Sequence, residues 1–198
     1  MKKEILTLAL LGLLAGCSSQ PSLHYYSLDA DSQQPVTAPA QPQHQLVLRP
    51  VALASQLDRI SLVYQLEGQE LHFTEYHRWA GALDDQLNQL TLNGLSTRLP
   101  GWVVRQDGAR KGPVLTILVE RFQGRHDGSA VLSGRWRLLA EDSTVLRDAP
   151  FRQERVLPAD GYNALVNELG QGWQQLLDQI AAEVRQSASL SPIRRLQR

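Results

Sequence analysis

The sequence predicts an α+β fold class: a mostly antiparallel sheet with two amphipathic helices packed on one face. Two observations lead to this expectation. Strand-like segments are followed by one helical segment, then by further strand-like segments and a second helical segment. Each helical segment carries a single apolar stripe, which suits a helix that packs one side against a sheet. The 198 residues are enough for one domain with a substantial core.

The domain is predicted to begin with strands. Residues 46–53 are strand-like, and Pro50 should place them at an edge or a bulge because proline cannot donate to a sheet ladder. Residues 61–66 and 70–74 flank a turn at Gly68, which predicts a hairpin.

An amphipathic helix is predicted over residues 82–98, because leucines recur there at three- to five-residue spacing: Leu83, Leu87, Leu90, Leu95 and Leu99. Asp84 and Asp85 lie in the first turn, where the helix dipole favours negative charge. Gly94 costs about 1 kcal/mol relative to alanine inside a helix, which predicts close packing at that position. Pro100 explains why the helix ends.

The second half of the chain is predicted to add a short strand at 102–104, a central strand at 114–122, strands at 130–138 and 144–155, and a helix at 160–186. An Asp127-Gly128 turn joins the central strand to the next one. Trp136 lies on the apolar side of an alternating pattern, which predicts that it is buried. Residues 187–198 lack a core-forming pattern and are expected to form a loose basic tail.

The first 16 residues have the pattern of a secretory signal peptide. Lys2 and Lys3 precede an apolar stretch of roughly ten residues, well short of the ~20 that span a bilayer. The stretch ends in four residues that resemble the lipobox of bacterial lipoproteins: Leu14, Ala15, Gly16 and Cys17. The sequence therefore predicts cleavage before Cys17.

Cys17 is predicted to be the lipidated first residue of the mature chain. It is the only cysteine, and a free thiol is unusual in an oxidising compartment unless lipidation consumes it. We expect a covalent diacylglycerol and an N-linked acyl chain on Cys17, with no other cofactor. Residues 17–45 then form a tether, with a short edge strand at 24–28 and a Pro/Gln-rich linker at 33–43, before a single domain at 46–186.

The charge balance argues against a nucleic-acid partner. The chain carries 20 basic and 20 acidic residues, and removal of the signal peptide leaves a net charge near −1. Proteins that bind nucleic acid or anionic lipid through electrostatics alone need a clear basic excess.

The sequence offers no catalytic or metal-binding pattern, so we expect a protein that is not an enzyme. Neither a Gly-x-Ser-x-Gly motif nor a phosphate-binding glycine motif is present. His72 and His77 lack the spacing of metal ligands and are expected to be solvated. Asp84 and Asp85 point about 100° apart on a helix, so they do not form an acid–base pair.

Aromatic and basic residues directly before the first helix form the candidate partner interface: Tyr76, Arg78 and Trp79. Side chains of these types are enriched in interaction hot spots. The alternative, which is somewhat more common for such a cluster, is that the residues pack on the core as a hydrophobic staple.

Several motifs occur along the chain in the same order as in one family of lipoproteins. They are Trp79-Ala80, Leu83-Asp84-x-Gln86-Leu87, Leu99-Pro100-Gly101-Trp102-Val103-Val104, Phe122-x-Gly124-Arg125-x-Asp127-Gly128 and Ser133-Gly134-x-Trp136. The lipobox and the early Tyr25-Tyr26-x-Leu28 match as well. The chain is therefore similar, over nearly its whole mature length, to the PqiC-type (paraquat-inducible protein C) ABC-type transport auxiliary lipoprotein family.

The resemblance implies a non-enzymatic role at the outer membrane. Such lipoproteins are partners of a transport system whose periplasmic protein carries mammalian-cell-entry (MCE) domains, and which moves lipids between the two membranes and keeps the envelope intact. On this expectation the protein docks an MCE assembly at the periplasmic face of the outer membrane, and self-association would match the oligomeric MCE tube. The serine at position 18, where aspartate would favour the inner membrane, agrees with this location.

Two alternatives belong to other functional classes. A free-standing periplasmic lipid carrier or chaperone would need an apolar cavity. A periplasmic enzyme would need titratable groups that converge in a cleft, which the motif search disfavours.

Overall fold

The computed structural model describes residues 22–28, 42, 44–106 and 112–195, with side chains described up to residue 187. The predicted signal peptide, Cys17 and nearly all of the Pro/Gln-rich linker lie outside the described residues. The described chain forms one nine-stranded sheet and two helices. Their bounds are β1 His24–Tyr26, β2 His44–Leu48, β3 Ala52–Leu53, β4 Ser61–Gln65, β5 Leu71–Trp79, α1 Leu83–Arg98, β6 Trp102–Arg105, β7 Val114–Arg125, β8 Ser129–Leu139, β9 Val145–Val156 and α2 Tyr162–Arg195.

The long strand β7 organises the sheet, as the sequence predicts for residues 114–122. One edge of β7 pairs with β8, which in turn pairs with β9. The other edge is lined in succession by β2, β3 and β4. Beyond these, β2 pairs with β6, while β4 pairs with β5, which pairs with β1.

The α+β class is confirmed, but the sheet is mixed rather than mostly antiparallel in its connections. The β4–β5, β7–β8 and β8–β9 pairs are antiparallel and include the two longest ladders. All pairings of β1, β2 and β3 are parallel. Hydrophobic alternation predicts which residues form strands and which face is buried, but it does not determine strand direction.

The predicted strand at 46–53 is divided in two. Proline has no backbone N–H, so the ladder that β2 forms with β7 cannot continue through Pro50. The next N–H, that of Val51, donates instead to Asn88 Oδ1 on α1 at 2.8 Å. β3 then rejoins β7 beside Leu118.

Trp173 on α2 joins the two helices to the sheet. Its ring packs edge-on against Phe122 of β7 and Phe151 of β9, at centroid distances of 6.3 and 6.4 Å. Its Nε1–H donates to Thr91 Oγ1 on α1 at 3.2 Å. Because a buried indole N–H needs an acceptor, this bond lets a large ring occupy the centre of the core. Trp136 is also buried, as the alternation predicts.

Both predicted helices are present. The first matches its predicted bounds to within one residue, and its Gly94 packs closely against α2. The second is longer than predicted, because α2 continues to Arg195. Residues 187–195, which were expected to begin a loose tail, continue this helix. Ala188, Leu190, Arg194 and Arg195 favour a helix in this segment, although its serines and Pro192 have lower helix propensity.

Strand β9 forms one edge of the sheet, since β8 is its only strand partner among the residues described. Most of its side chains are exposed, and Pro150 lies near its middle. Asp148 accepts hydrogen bonds from Arg135 and Arg137 of β8 on the exposed side.

Candidate functional site

The segment that leads to the predicted anchor is part of the folded domain. β1 pairs in parallel with β5, with His24, Tyr25 and Tyr26 opposite His77, Arg78 and Trp79. The ladder ends where Ala80 N–H donates to Tyr26 O at 2.7 Å. The short edge strand predicted at 24–28 is thus present over His24–Tyr26, and the sheet includes residues that the sequence analysis placed in the tether.

Both helices hold this segment after β1. The N–H of Leu28 donates to Gln86 Oε1 on α1 at 3.0 Å. The Leu28 side chain also lies beside Gly170 of α2, where a Cβ atom would be 4.0 Å from Leu28 Cδ2. Residues 24–28 are therefore fixed by the sheet on one side and by the two helices on the other.

A four-ring cluster joins β1, β5 and α2. His77 stacks between His24 and Tyr162, at centroid distances of 5.1 and 3.8 Å. Its Nδ1 lies 2.8 Å from the Tyr26 hydroxyl. Burial and the neighbouring His24 lower the pKa of His77. The ring is therefore neutral at neutral pH, and we assign the Tyr26 O–H as the donor.

His72 and His77 were both expected to be solvated, and the structure agrees for only one of them. His72 is exposed as expected, but His77 is partly buried in the ring cluster. The alternation of β5 could have indicated this, because His77 lies on the same side of the strand as the core residue Trp79. Among the described residues, no three His, Cys, Asp or Glu side chains are grouped so that they could hold a metal ion.

The structure separates the three residues of the candidate partner interface. Trp79 is only 3% exposed and packs 6.0 Å from the ring of Phe122, so the core alternative is correct for it. Tyr76 is exposed and Arg78 is half-buried. Trp79 therefore cannot be a partner contact, whereas Tyr76 and Arg78 remain accessible.

A bulge in β5 brings Tyr76 to the surface. The register with β4 shifts so that the residues between Phe73 and Arg78 lie opposite Leu62 alone. Thr74 Oγ1 lies 3.1 Å from Leu62 O and also contacts His77 O, and Arg78 Nε donates to Glu75 O at 3.0 Å. These bonds satisfy backbone groups that the ladder leaves unpaired, so the bulge is a built feature of the strand.

Exposed apolar side chains surround this bulge. They are Leu23 (46% exposed), Tyr25 (60%), Ile60 (53%), Phe73 (37%) and Tyr76 (36%). Arg59 lies above the Phe73 ring, with its Cζ 3.7 Å from the ring centroid. We refer to these five apolar residues together with Arg59 and Arg78 as the β1–β5 surface. Sequence reasoning identified only Tyr76 and Arg78, because an isolated apolar residue in a strand pattern gives no sign that its face is open.

A second cluster of side chains, at the β7–β8 turn, has a structural role. Arg125 pairs with Asp127 and with Glu154 of β9. The hydrogen bond from Arg125, aided by that from Ser129, holds the pKa of Asp127 well below its usual range. These bonds close the turn predicted at Asp127-Gly128, where Gly128 has a φ of +76°.

Sequence comparison assigns the chain to a family. The model for the ABC-type transport auxiliary lipoprotein component matches residues 26–181. The chain belongs to this family. The matched region begins within β1 and ends within α2, so it includes Tyr26, His77 and Tyr162 of the ring cluster and the part of the β1–β5 surface that follows β1.

A relative supports this assignment, and solved structures share the fold. The lipoprotein is 35% identical over 187 residues to the intermembrane transport lipoprotein PqiC of Escherichia coli strain K12, covering 93% of this chain and 98% of the relative. A crystal structure of an uncharacterized protein has a TM-score of 0.71 at 32% identity, over 82% of this chain and 99% of that one. A Xanthomonas campestris protein shares the fold, with a TM-score of 0.67 at 17% identity over 87% of this chain and 96% of its own. None of the helices in the described residues is long and apolar enough to cross a bilayer.

Proposed function

We propose that this chain is an outer-membrane lipoprotein that serves as a non-enzymatic accessory subunit of an intermembrane lipid transport system. Its acyl chains on Cys17 hold it at the periplasmic face of the membrane. Its folded domain docks a periplasmic protein with MCE domains and thereby supports envelope integrity.

The observation that carries this proposal is the relationship to the intermembrane transport lipoprotein of Escherichia coli, which extends over 93% of this chain and 98% of the relative. Agreement over nearly both full lengths argues that the anchor region and the domain serve one purpose together. A domain borrowed for another role would share only the fold.

The location at the outer membrane rests on the start of the mature chain. Leu14, Ala15 and Gly16 precede Cys17, and serine follows it. Two or three acyl chains give stable anchoring, which a single chain does not. We therefore expect a Ser18→Asp variant to remain lipidated but to fractionate with the inner membrane.

The decisive experiment is an affinity pull-down of the tagged, lipidated protein from detergent-solubilised envelopes, followed by mass spectrometry. Recovery of an MCE-domain protein supports the accessory role. The Cys17→Ala variant is the matched control, because it keeps the folded domain but has no thiol that can be lipidated. Recovery of lipid without an MCE-domain protein would instead support the carrier alternative.

A further inference from the structure

The exposed apolar side chains of the domain are unevenly distributed. Of the nine large apolar residues that are exposed in the described part of the chain, five belong to the β1–β5 surface. They lie on neighbouring strands or directly before them, since Leu23 and Tyr25 belong to or precede β1, Phe73 and Tyr76 belong to β5, Ile60 precedes β4, and β1, β5 and β4 are adjacent in the sheet. A concentration of this kind marks a surface with a partner, whereas scattered single residues do not.

The chain before β1 is too short to let the domain turn freely. Ser22, the first described residue, comes five residues after Cys17. A fully extended chain advances ~3.3–3.6 Å per residue, so these two residues are separated by at most about 18 Å. A domain of this size is roughly 40 Å across. The side of the domain that carries β1 must therefore be the side nearest to an anchor on Cys17.

This limit on the tether length applies because β1 is firmly attached to the rest of the domain. If residues 24–28 were free, the tether would extend through the linker and the domain could move far from the membrane. Instead β1 is paired with β5, and Leu28 is bound to Gln86 on α1. The linker at 33–43 thus connects two strands of one sheet, β1 and β2, and adds no length to the tether.

The chemistry of the β1–β5 surface suits a lipid interface. Tyr25 and Tyr76 have an apolar ring and a polar tip, as do the side chains that concentrate at the boundary between headgroups and acyl chains. Arg59 and Arg78 can pair with phosphate headgroups. Asp58 directly precedes Arg59 and Glu75 lies three residues before Arg78, so these carboxylates offset the charge of the two arginines. The contact is therefore carried by the apolar rings more than by net charge.

We propose that the β1–β5 surface rests on the bilayer that holds the acyl chains of Cys17, and so fixes the orientation of the domain on the membrane. This inference rests on the proposed lipid anchor and assigns Tyr76 and Arg78 to lipid contact. The protein partner then approaches from a side of the domain that faces away from the membrane.

The test uses the lipidated full-length protein in vesicles of phosphatidylethanolamine with a minor fraction of phosphatidylglycerol. Because Cys17 is the only cysteine and acylation consumes it, a single introduced cysteine can be labelled selectively. An environment-sensitive fluorophore is attached in the Tyr25→Cys variant and, as the matched control, in the Leu118→Cys variant. Both positions are exposed on strands, at 60% and 41%.

The proposal expects quenching by nitroxide-labelled lipids to be several-fold stronger at position 25 than at position 118. It also expects a blue-shifted emission at position 25 alone. Equal quenching at both positions in protein that floats with the vesicles would overturn the orientation but leave the anchor intact. Protein that fails to float would overturn the anchor and the orientation together. Protection of position 25 only when a co-purified protein partner is present would assign the surface to that partner and overturn lipid contact.

Discussion

A Cβ atom placed on Gly94 would lie 2.5 Å from Leu177 Cδ1, so a larger residue there would require the buried Leu177 side chain to move. This contact between α1 and α2 explains why a residue that disfavours helices occurs inside the first one.

The Gly94→Ala substitution is therefore expected to destabilise the protein by about 1–3 kcal/mol, because the strain of overpacking exceeds the gain in helix propensity. Gly170→Ala in α2 is the matched control, since its Cβ would meet no atom closer than 4.0 Å. It should stabilise the fold by about 0.4–1 kcal/mol. Chemical denaturation measures both changes, and an equal response of the two variants would contradict the close approach.

Replacing Thr91 by valine tests the hydrogen bond that Trp173 Nε1–H donates to Thr91 Oγ1. The change keeps the volume but removes the acceptor of the buried indole N–H, and Thr91 and Trp173 are both fully buried. We expect a loss of about 1–3 kcal/mol in the free energy of unfolding. Thr97→Val, on the exposed side of the same helix, should change it by less than about 0.5 kcal/mol.

Trp136→Ala tests the core under β8. The ring is 4% exposed, and its removal should cost about 3–5 kcal/mol as a large core truncation. The measurements are the thermal unfolding midpoint and the free energy of unfolding in denaturant. An unchanged melting curve would show that the ring contributes nothing to the core.

The ring cluster predicts a dependence of stability on pH. The pKa of His77 is lowered in the folded protein by burial and by His24, while Tyr26 and Tyr162 are the other titratable groups in contact with its ring. The unfolded chain therefore takes up a proton near pH 6.5 that the folded chain resists. The free energy of unfolding should decrease as pH falls through about 6.5 and level off below the folded pKa.

The His77→Gln variant should flatten this decrease, whereas His72→Gln, on the exposed side of the same strand, should keep it. The lowered pKa values of Asp148 and Glu154 affect stability only at lower pH, because the stabilisation they provide is lost below about pH 4.5. Denaturant midpoints measured across this range separate the two effects. A wild-type midpoint that is constant between pH 7.5 and 5.5 would contradict the predicted role of His77.

The last prediction concerns the lipid anchor on Cys17. Cys17→Ala should leave the protein unprocessed at its signal peptide or released from the membrane, because no thiol remains to accept the diacylglycerol. Fractionation of envelopes on a density gradient reports this directly. A variant that fractionates with the outer membrane as the wild type does would refute lipidation at Cys17.

Patterns with a local cause could be predicted from the sequence. The leucine spacing of α1, the Asp127-Gly128 turn and the alternation around Trp136 each follow from short-range geometry, and the structure contains all three. The interruption at Pro50 also follows from a single missing N–H.

Features that depend on distant segments could not be predicted in this way. The parallel pairing of β1 with β5 joins residues about fifty positions apart, and nothing in residues 24–28 specifies their partner. For the same reason the open side of Tyr25 and the burial of His77 emerge only from the fold, while Trp79 shows that an aromatic residue before a helix can belong to the core.

The exposed edge of β9 affects how copies of the protein anchored to one membrane can associate. Proteins tethered to a surface share two dimensions, so their effective concentration greatly exceeds that of the same molecules in solution. A long open strand under such crowding would invite neighbouring copies to pair edge to edge. Pro150 and the charged Arg147, Asp148, Arg152 and Glu154 interrupt the template that such pairing needs. The edge is thus protected against aggregation in the setting where the anchor makes collisions most frequent.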